Sequence, residues 1–462
     1  MFDAQVYVGR RNGLQRQFQD GLLLFVGNAD APMNYAANAY HFRQDSSFLY
    51  YWGVDDPDLV AVLDVDAGRH VIYGDDFTVD DIVWRGPQPT IAERAGRAGV
   101  TETLPLKDLP RLMSEALRAG RRIHFLPQYR ADNAQLLERL LGIRAEAINE
   151  HASVALCRAV VSQRAIKSAE EIAEIERALE ISRDMHVLAM RTAKPGMYER
   201  EVAGAMEGLV ASRGVAMAFP VIFSVHGETL HNHYHGNRME AGQMAVNDSG
   251  AESPLHYASD ITRTIPIGGL FEGPQRDLYQ AVHRAQKKAI AAVKPGVKFR
   301  DVHLLACRSL AEDLKTMGLM KGNLDAAIEQ GAQGMFFQCG LGHMLGLDVH
   351  DMEGLGEQHV GYDASVQRSA QFGLKSLRMA RPLEPGMVMT VEPGIYMIPV
   401  LMARWRAEGK FAEFLDYDAI ERFRAFGGIR LEDDVLVTET GNRVLGQPIP
   451  IEMEEVEALA RQ

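Results

Sequence analysis

Two aspartates, Asp248 and Asp260, stand twelve residues apart in MAVNDSGAESPLHYASDITRTIPIGG (244–269), on strand-like runs separated by the turn-forming stretch at 250–254. Opposed on a hairpin, two carboxylates repel and raise one another's proton affinity unless a cation lies between them. For Asp248 taken by itself, capping a turn is the plainer role. Further along, Glu392 interrupts the apolar run MVMTVEPGIY (387–396), and Glu432 follows Ile-Arg-Leu in GIRLEDDVLV (428–437). A carboxylate within an apolar strand is almost never fully buried unless it is paired or metal-bound. The other reading is an edge strand with each glutamate on its wet face. His343, in GLGHMLGLDVHDMEG (340–354), follows two glycines that allow close backbone packing, and it offers an imidazole nitrogen. Four carboxylates and one imidazole form an oxygen-rich donor set, suited to harder ions such as Mn²⁺ and to two ions sharing bridging carboxylates. The chain has no CxxC pair and no HExxH, which excludes the common single-zinc patterns.

HNHYHGN (231–237) is a rival site. In an extended segment His231, His233 and His235 share one face. Three imidazoles so placed can hold a single zinc with a fourth position open to water. They equally suit a satisfied or exposed cluster, or hydrogen bonds to a substrate.

The elements that must carry these residues form two blocks. The first ~160 residues alternate β-rich runs with helical stretches, the pattern of an α/β layer. LLLFVG (22–27), LVAVLDV (59–65), HVIYG (70–74) and IHFLP (123–127) read as strands, and helical spacing appears over 107–118 and 131–141. The aromatic run FRQDSSFLYYWGV (42–54) reads as core. At Ser168 the character changes: Ser168-Ala-Glu-Glu171 has capping-box spacing, followed by Ile172, Ile175 and Leu179 on one helical face. The domain boundary is placed just before it, giving domains over 1–160 and 165–462. Within the second, AKPGMYEREV from Ala193 and VKPGVKFRDV from Val293 repeat at an offset of 100 residues. Each marks a helix ending at Lys-Pro-Gly and a second helix beginning near Glu199 or Arg300. Two such units, each followed by β-rich sequence, predict an internally duplicated α+β domain with pseudo-two-fold symmetry.

Composition narrows the function classes. The chain has 462 residues, 47% hydrophobic and 24% charged, which excludes a disordered or fibrous protein. A net charge of −13 without a Lys/Arg run speaks against a partner that is nucleic acid or an anionic membrane. Cys157, Cys307 and Cys339 are odd in number and far apart, so no disulfide framework is expected. The first residues lack a secretory signal, and the longest aliphatic runs are far below the ~20 residues of a membrane helix. A cytoplasmic location is expected.

HNHYHGN, NDSGAESPLHYASDITRT, GLGHMLGLDVHD, TVEPGIY and GIRLEDDVLVTETGN, in that order, resemble the Xaa-Pro aminopeptidase (aminopeptidase P) and prolidase family. YHFRQDSSFLYYWGVDDPD extends the resemblance to the amino-terminal domain of that family. The resemblance implies an N-terminal α/β domain followed by a pita-bread catalytic domain with a dinuclear centre between its duplicated halves. It implies Asp248, Asp260, His343, Glu392 and Glu432 as ligands, Asp260 and Glu432 bridging two divalent ions. Mn²⁺ is the first expectation, with Zn²⁺ or Co²⁺ as alternatives. His233 and His350 match family histidines that contact substrate, and Arg430 matches an arginine that supports the site. The implied reaction removes the residue ahead of a proline in second position, by attack of a water shared between the ions, with Glu392 carrying its proton. Prolidase activity restricted to Xaa-Pro dipeptides is the nearest alternative, and a non-catalytic interaction protein of this fold the remote one. The partners expected are peptides and further copies of the chain, as a dimer or tetramer. Two departures stand out: the family more often spaces the two aspartates by eleven, and the segment from Glu353 to Arg381 looks longer than usual.

Overall fold

Five short β-branched or aromatic runs assemble the first sheet. In the computed structural model, which describes residues 1–462, they are β1 (Leu22–Val26), β2 (Val60–Asp64), β3 (Arg69–Tyr73), β4 (Glu102–Leu104) and β5 (Ile123–Phe125). The order is β4-β3-β2-β1-β5, with antiparallel pairing in the centre and parallel pairing at both edges. Helices Leu109–Arg118 and Ala131–Leu141 bury Leu109, Met113 and Leu137 against Leu24, Val62 and Val71. The aromatic run forms helix Ser46–Trp52, buried at every position. β4, with only three half-buried residues, was not legible in the sequence because so short a strand has no measurable period.

By its internal contacts the chain divides into two units, one of Met1–Arg164 with Met352–His359, the other of Ala165–Asp351 with Val360–Gln462. The second unit opens on helix Ala169–Thr192, whose N-cap Ser168 accepts from the Glu171 amide while Glu171 reaches back to the Ser168 amide. The 100-residue repeat is visible as two helix pairs. Ala169–Thr192 with Glu199–Ser212 is the first, and Pro274–Ala292 with Phe299–Thr316 the second. Gly196 (φ 92°) and Gly296 (φ 81°) supply the left-handed turn after each Lys-Pro. The second helix of the later pair starts at Phe299, one residue earlier than expected.

Each pair is followed by strands: β6 (Ile222–Ser224), β7 (Met244–Ser249) and β8 (Ile261–Pro266), then β9 (Val388–Val391), β10 (Gly394–Tyr396), β11 (Gly428–Arg430), β12 (Asp433–Val437) and β13 (Asn442–Val444). They pair as β6-β7-β8, β13-β12-β9 and β10-β11, and a bridge between Thr262 and Glu432 links the strands of the two repeats. No helix is long and apolar enough to cross a membrane.

Candidate metal centre

The acidic residues lie where strands end. Asp248 is the fifth residue of β7, Asp260 immediately precedes β8, Glu392 follows the last residue of β9, and Glu432 sits between β11 and β12. Asp260, Glu392 and Glu432 are therefore not in the middle of strands as the sequence suggested. Strand ends present side chains to a cavity without surrendering ladder hydrogen bonds. The wet-edge reading fails for Glu432, which is 1% exposed. His343 reaches the same place because Gly342 packs its backbone on β9: a Cβ there would stand 2.0 Å from the Thr390 carbonyl oxygen. The His343 amide donates to Thr390 Oγ1 (3.1 Å).

These side chains converge on a cavity of about 210 Å³ lined by all five, together with His231, His233, His350 and Arg430. Ligand atoms of Asp260, His343 and Glu432 lie within 4.8 Å of one another. His343 Nε2 is 3.4 Å from Asp260 Oδ2 and 3.5 Å from Glu392 Oε1. Nδ1 of the same ring is 3.0 Å from the Met344 carbonyl, an acceptor only, so Nδ1 carries the proton and Nε2 offers its lone pair. Burial holds the His343 pKa well below the ordinary histidine range. The carboxylates move the opposite way. Burial, reinforced by the neighbouring acids, pushes Asp260 and Glu432 well above the usual carboxylate range and Glu392 up to about 7. Asp260 Oδ1 is buried with no hydrogen-bond partner.

Arg430 is a buried cation among the acids. Its guanidinium contacts Asp248 and donates to Thr262 Oγ1 (3.1 Å) and the Tyr396 hydroxyl (3.0 Å). Thr262 in turn donates to Glu432 Oε2 (2.6 Å), and the Asp260 amide donates to Asp434 Oδ2 (3.1 Å). Four carboxylates face only two guanidiniums, Arg430 and Arg378, across the cavity, an excess of negative charge that divalent cations would offset. The donors fit two hard cations: oxygen-rich, clustered, and with a buried carboxylate oxygen awaiting a partner.

The three-histidine strand is not a strand. Residues 231–237 are irregular, and His235 turns away to the Val221 carbonyl (3.1 Å), leaving His231 and His233 at the cavity wall. His350 packs edge-on to His343, ring centroids 4.3 Å apart. Sequence reading passed over Thr262, Tyr396, Cys339, Ser376 and Arg378. Thr262 had a signal, lying two residues beyond Asp260 and so on the same face of an extended chain. Cys339, Ser376 and Arg378 line the cavity but come from irregular segments whose course no periodicity reveals. The long 353–381 segment thus contributes directly to the cavity wall.

A duplicated α+β domain with clustered acids at its strand ends agrees with what the sequence matches. Residues 173–439 match metallopeptidase family M24, and the chain belongs to that family. Residues 7–124 match the aminopeptidase P N-terminal domain, which identifies the branch: an M24 metallopeptidase carrying the aminopeptidase P type of amino-terminal domain ahead of a pita-bread catalytic domain. The Xaa-Pro dipeptidase of Homo sapiens is 32% identical over 452 residues, 95% of this chain and 89% of the relative. The Xaa-Pro aminopeptidase of Escherichia coli (strain K12) is 30% identical over 471 residues, 98% and 97% of the two chains. Among solved structures, the zinc-substituted E. coli aminopeptidase P in complex with product superposes with a TM-score of 0.81 at 28% identity, covering 100% of this chain and 98% of that one.

Proposed function

We propose that the protein removes the amino-terminal residue from peptides with proline in second position, using two divalent ions, Mn²⁺ first among them, held by Asp248, Asp260, His343, Glu392 and Glu432. The observation that carries this reading is the partnerless buried oxygen of Asp260 among the donors of His343 and Glu432. Asp260 and Glu432, whose ligand atoms lie within 4.8 Å of each other and of His343, would be the carboxylates shared by the two ions. When bound, the two cations supply Lewis acidity, activating a water and polarising the scissile carbonyl. Glu392 stands beside His343 at the cavity, where it would take a proton from the attacking water and return it to the leaving proline nitrogen. His233 and His350, on the cavity wall, donate to the oxygen that gains charge in the transition state. Arg430 holds Asp248 and, through Thr262, Glu432 in register.

The human relative's dipeptidase name supports a second reading, restriction to Xaa-Pro dipeptides. Steady-state cleavage of Xaa-Pro beside Xaa-Pro-Xaa separates the two, because only an open-ended cavity accepts the tripeptide. Absence of cleavage of both by Mn²⁺-loaded protein would end the peptidase proposal. The enzyme is proposed to work in the cytoplasm and as a homo-oligomer. Helix Val79–Arg85 supports the latter, since it buries none of its residues and leaves Trp84 86% exposed. Light scattering of the intact chain checks it.

A further inference from the structure

The turn that carries His343 and His350 is closed by the residue that follows them. The Asp351 amide donates to the Met344 carbonyl (2.9 Å), the same oxygen that accepts from His343 Nδ1 (3.0 Å). One carbonyl therefore ties the orientation of the imidazole to the far end of the turn. The Asp351 carboxylate folds back into that turn. Its Oδ1 accepts from the Asp348 amide (3.3 Å), and its Oδ2 lies 2.9 Å from Lys167 Nζ, both side chains 1% exposed. At Gly346 a Cβ would stand 2.5 Å from Asp351 Oδ2, so the turn lacks a side chain where the carboxylate enters. Directly beyond, Met352 holds φ at 63°, a conformation that a residue other than glycine keeps only when its surroundings determine it.

Lys167 comes from far away in sequence, just ahead of helix Ala169–Thr192. Its amide donates to the Gly386 carbonyl (2.8 Å), shortly before β9, the strand that leads into Glu392. Lys167 thus braces the approach to one acid with its backbone and the histidine turn with its ammonium. A buried ion pair is weak evidence for stability, since apolar residues of similar volume usually serve as well. What an apolar pair cannot do is accept from an amide and from an ammonium at once.

We infer that Lys167 and Asp351 are positioning residues, a buried clamp that fixes the turn carrying His343 and His350 so that both imidazoles face the cavity. The clamp touches neither substrate nor ion. It deepens the metallopeptidase reading of this site and rests on it. Changes to groups that orient a ligand from behind weaken metal binding by about 10–100-fold.

The test uses the full chain, stripped of metal and titrated with Mn²⁺ alone by calorimetry. Lys167→Met removes the ammonium from beside a buried carboxylate and is expected to lower both melting temperature and metal affinity. The double variant Lys167→Met/Asp351→Leu removes both charges and is expected to recover melting temperature. Its Mn²⁺ affinity is expected to stay about 10–100-fold weaker, and at saturating metal its kcat to fall with KM little changed. Asp351→Asn, nearly isosteric, carries the same affinity measurement should the double variant not fold. Wild-type Mn²⁺ affinity in the folded double variant, or in Asp351→Asn, would overturn the clamp and leave the pair a packing feature. Calorimetry does not depend on which peptide is cut. Wild-type protein that binds Mn²⁺ without cleaving Xaa-Pro would defeat the peptidase reading alone, and the affinity comparison would still decide the clamp.

Discussion

Arg11 in the amino-terminal unit and Asp260 in the catalytic unit are both ionisable and both buried, and the fold treats them in opposite ways. Arg11 is 0% exposed, yet its guanidinium donates to the carbonyls of Tyr51 (2.7 Å), Ala98 (2.9 Å) and Gly99 (3.1 Å) and to His70 Nδ1 (3.2 Å). Each of its three nitrogens donates to a carbonyl oxygen or a ring nitrogen. Asp260 keeps one oxygen without a partner, and burial, reinforced by further acids, raises its proton affinity. A buried charge that the chain itself satisfies is a structural device. A buried charge that the chain leaves unsatisfied, beside others of the same sign, is a seat for something the chain does not contain.

Asp260→Ala and Glu432→Ala are each expected to abolish peptidase activity and to prevent binding of the second ion, since two cations at short range then repel with one less negative charge between them. Metal analysis of the purified variants checks this, and two tightly bound ions in either variant would remove that residue from the bridge. His233→Ala comes next. It should keep full metal content and lose about 10²–10³ in kcat, the usual worth of one donor to a developing charge. A parallel fall in metal content would return the histidine segment to the role of ligand.

That segment shows where sequence reading reaches its limit. Glu392 and Glu432 were legible because carboxylates in apolar runs are expensive, Asp248 and Asp260 because opposed carboxylates repel, and His343 because two glycines precede it. The helix pairs were legible from a ten-residue repeat and a capping box. HNHYHGN was ambiguous because alternation places three imidazoles on one face only in an extended chain. Here the backbone is irregular, and the Val221 carbonyl takes His235 away. Arg378 and Ser376 had no signal, since a long loop acquires its course from tertiary contacts such as the Ser376 hydroxyl donating to the Gln338 carbonyl (3.0 Å).

Arg11→Met sharpens the other side of the comparison. Its loss strands two buried carbonyls and one half-buried one, for an expected cost of about 3–5 kcal/mol in chemical denaturation. Metal affinity should not move. A variant as stable as the parent would show that the carbonyls find water instead.

The smallest expected effect is a tilt with pH. Asp260, Glu432 and Glu392 (about 7) have folded pKa values above their unfolded ones. The stability they give metal-free protein is present below about pH 4 and is lost as pH rises towards and beyond 7. His186 (about 3) and His303 (about 4) have depressed values, and their stability is lost as pH falls from about 6.5. The histidines act equally with and without metal, so they cancel in the difference between loaded and metal-free melting temperatures. That difference should widen steadily between about pH 5 and pH 8. A flat difference would mean that the acids do not hold protons in the absence of metal.

The central claim is that the unsatisfied acids are seats for two ions. Anomalous diffraction at the manganese edge, from crystals of the full chain grown with Mn²⁺, tests it most directly. Two peaks are expected, one on each side of Asp260 and Glu432, with His343 and Glu392 on one flank and Asp248 on the other. A single peak on His231, His233 and His235, or none among the four acids and the His343 imidazole, would contradict this assignment.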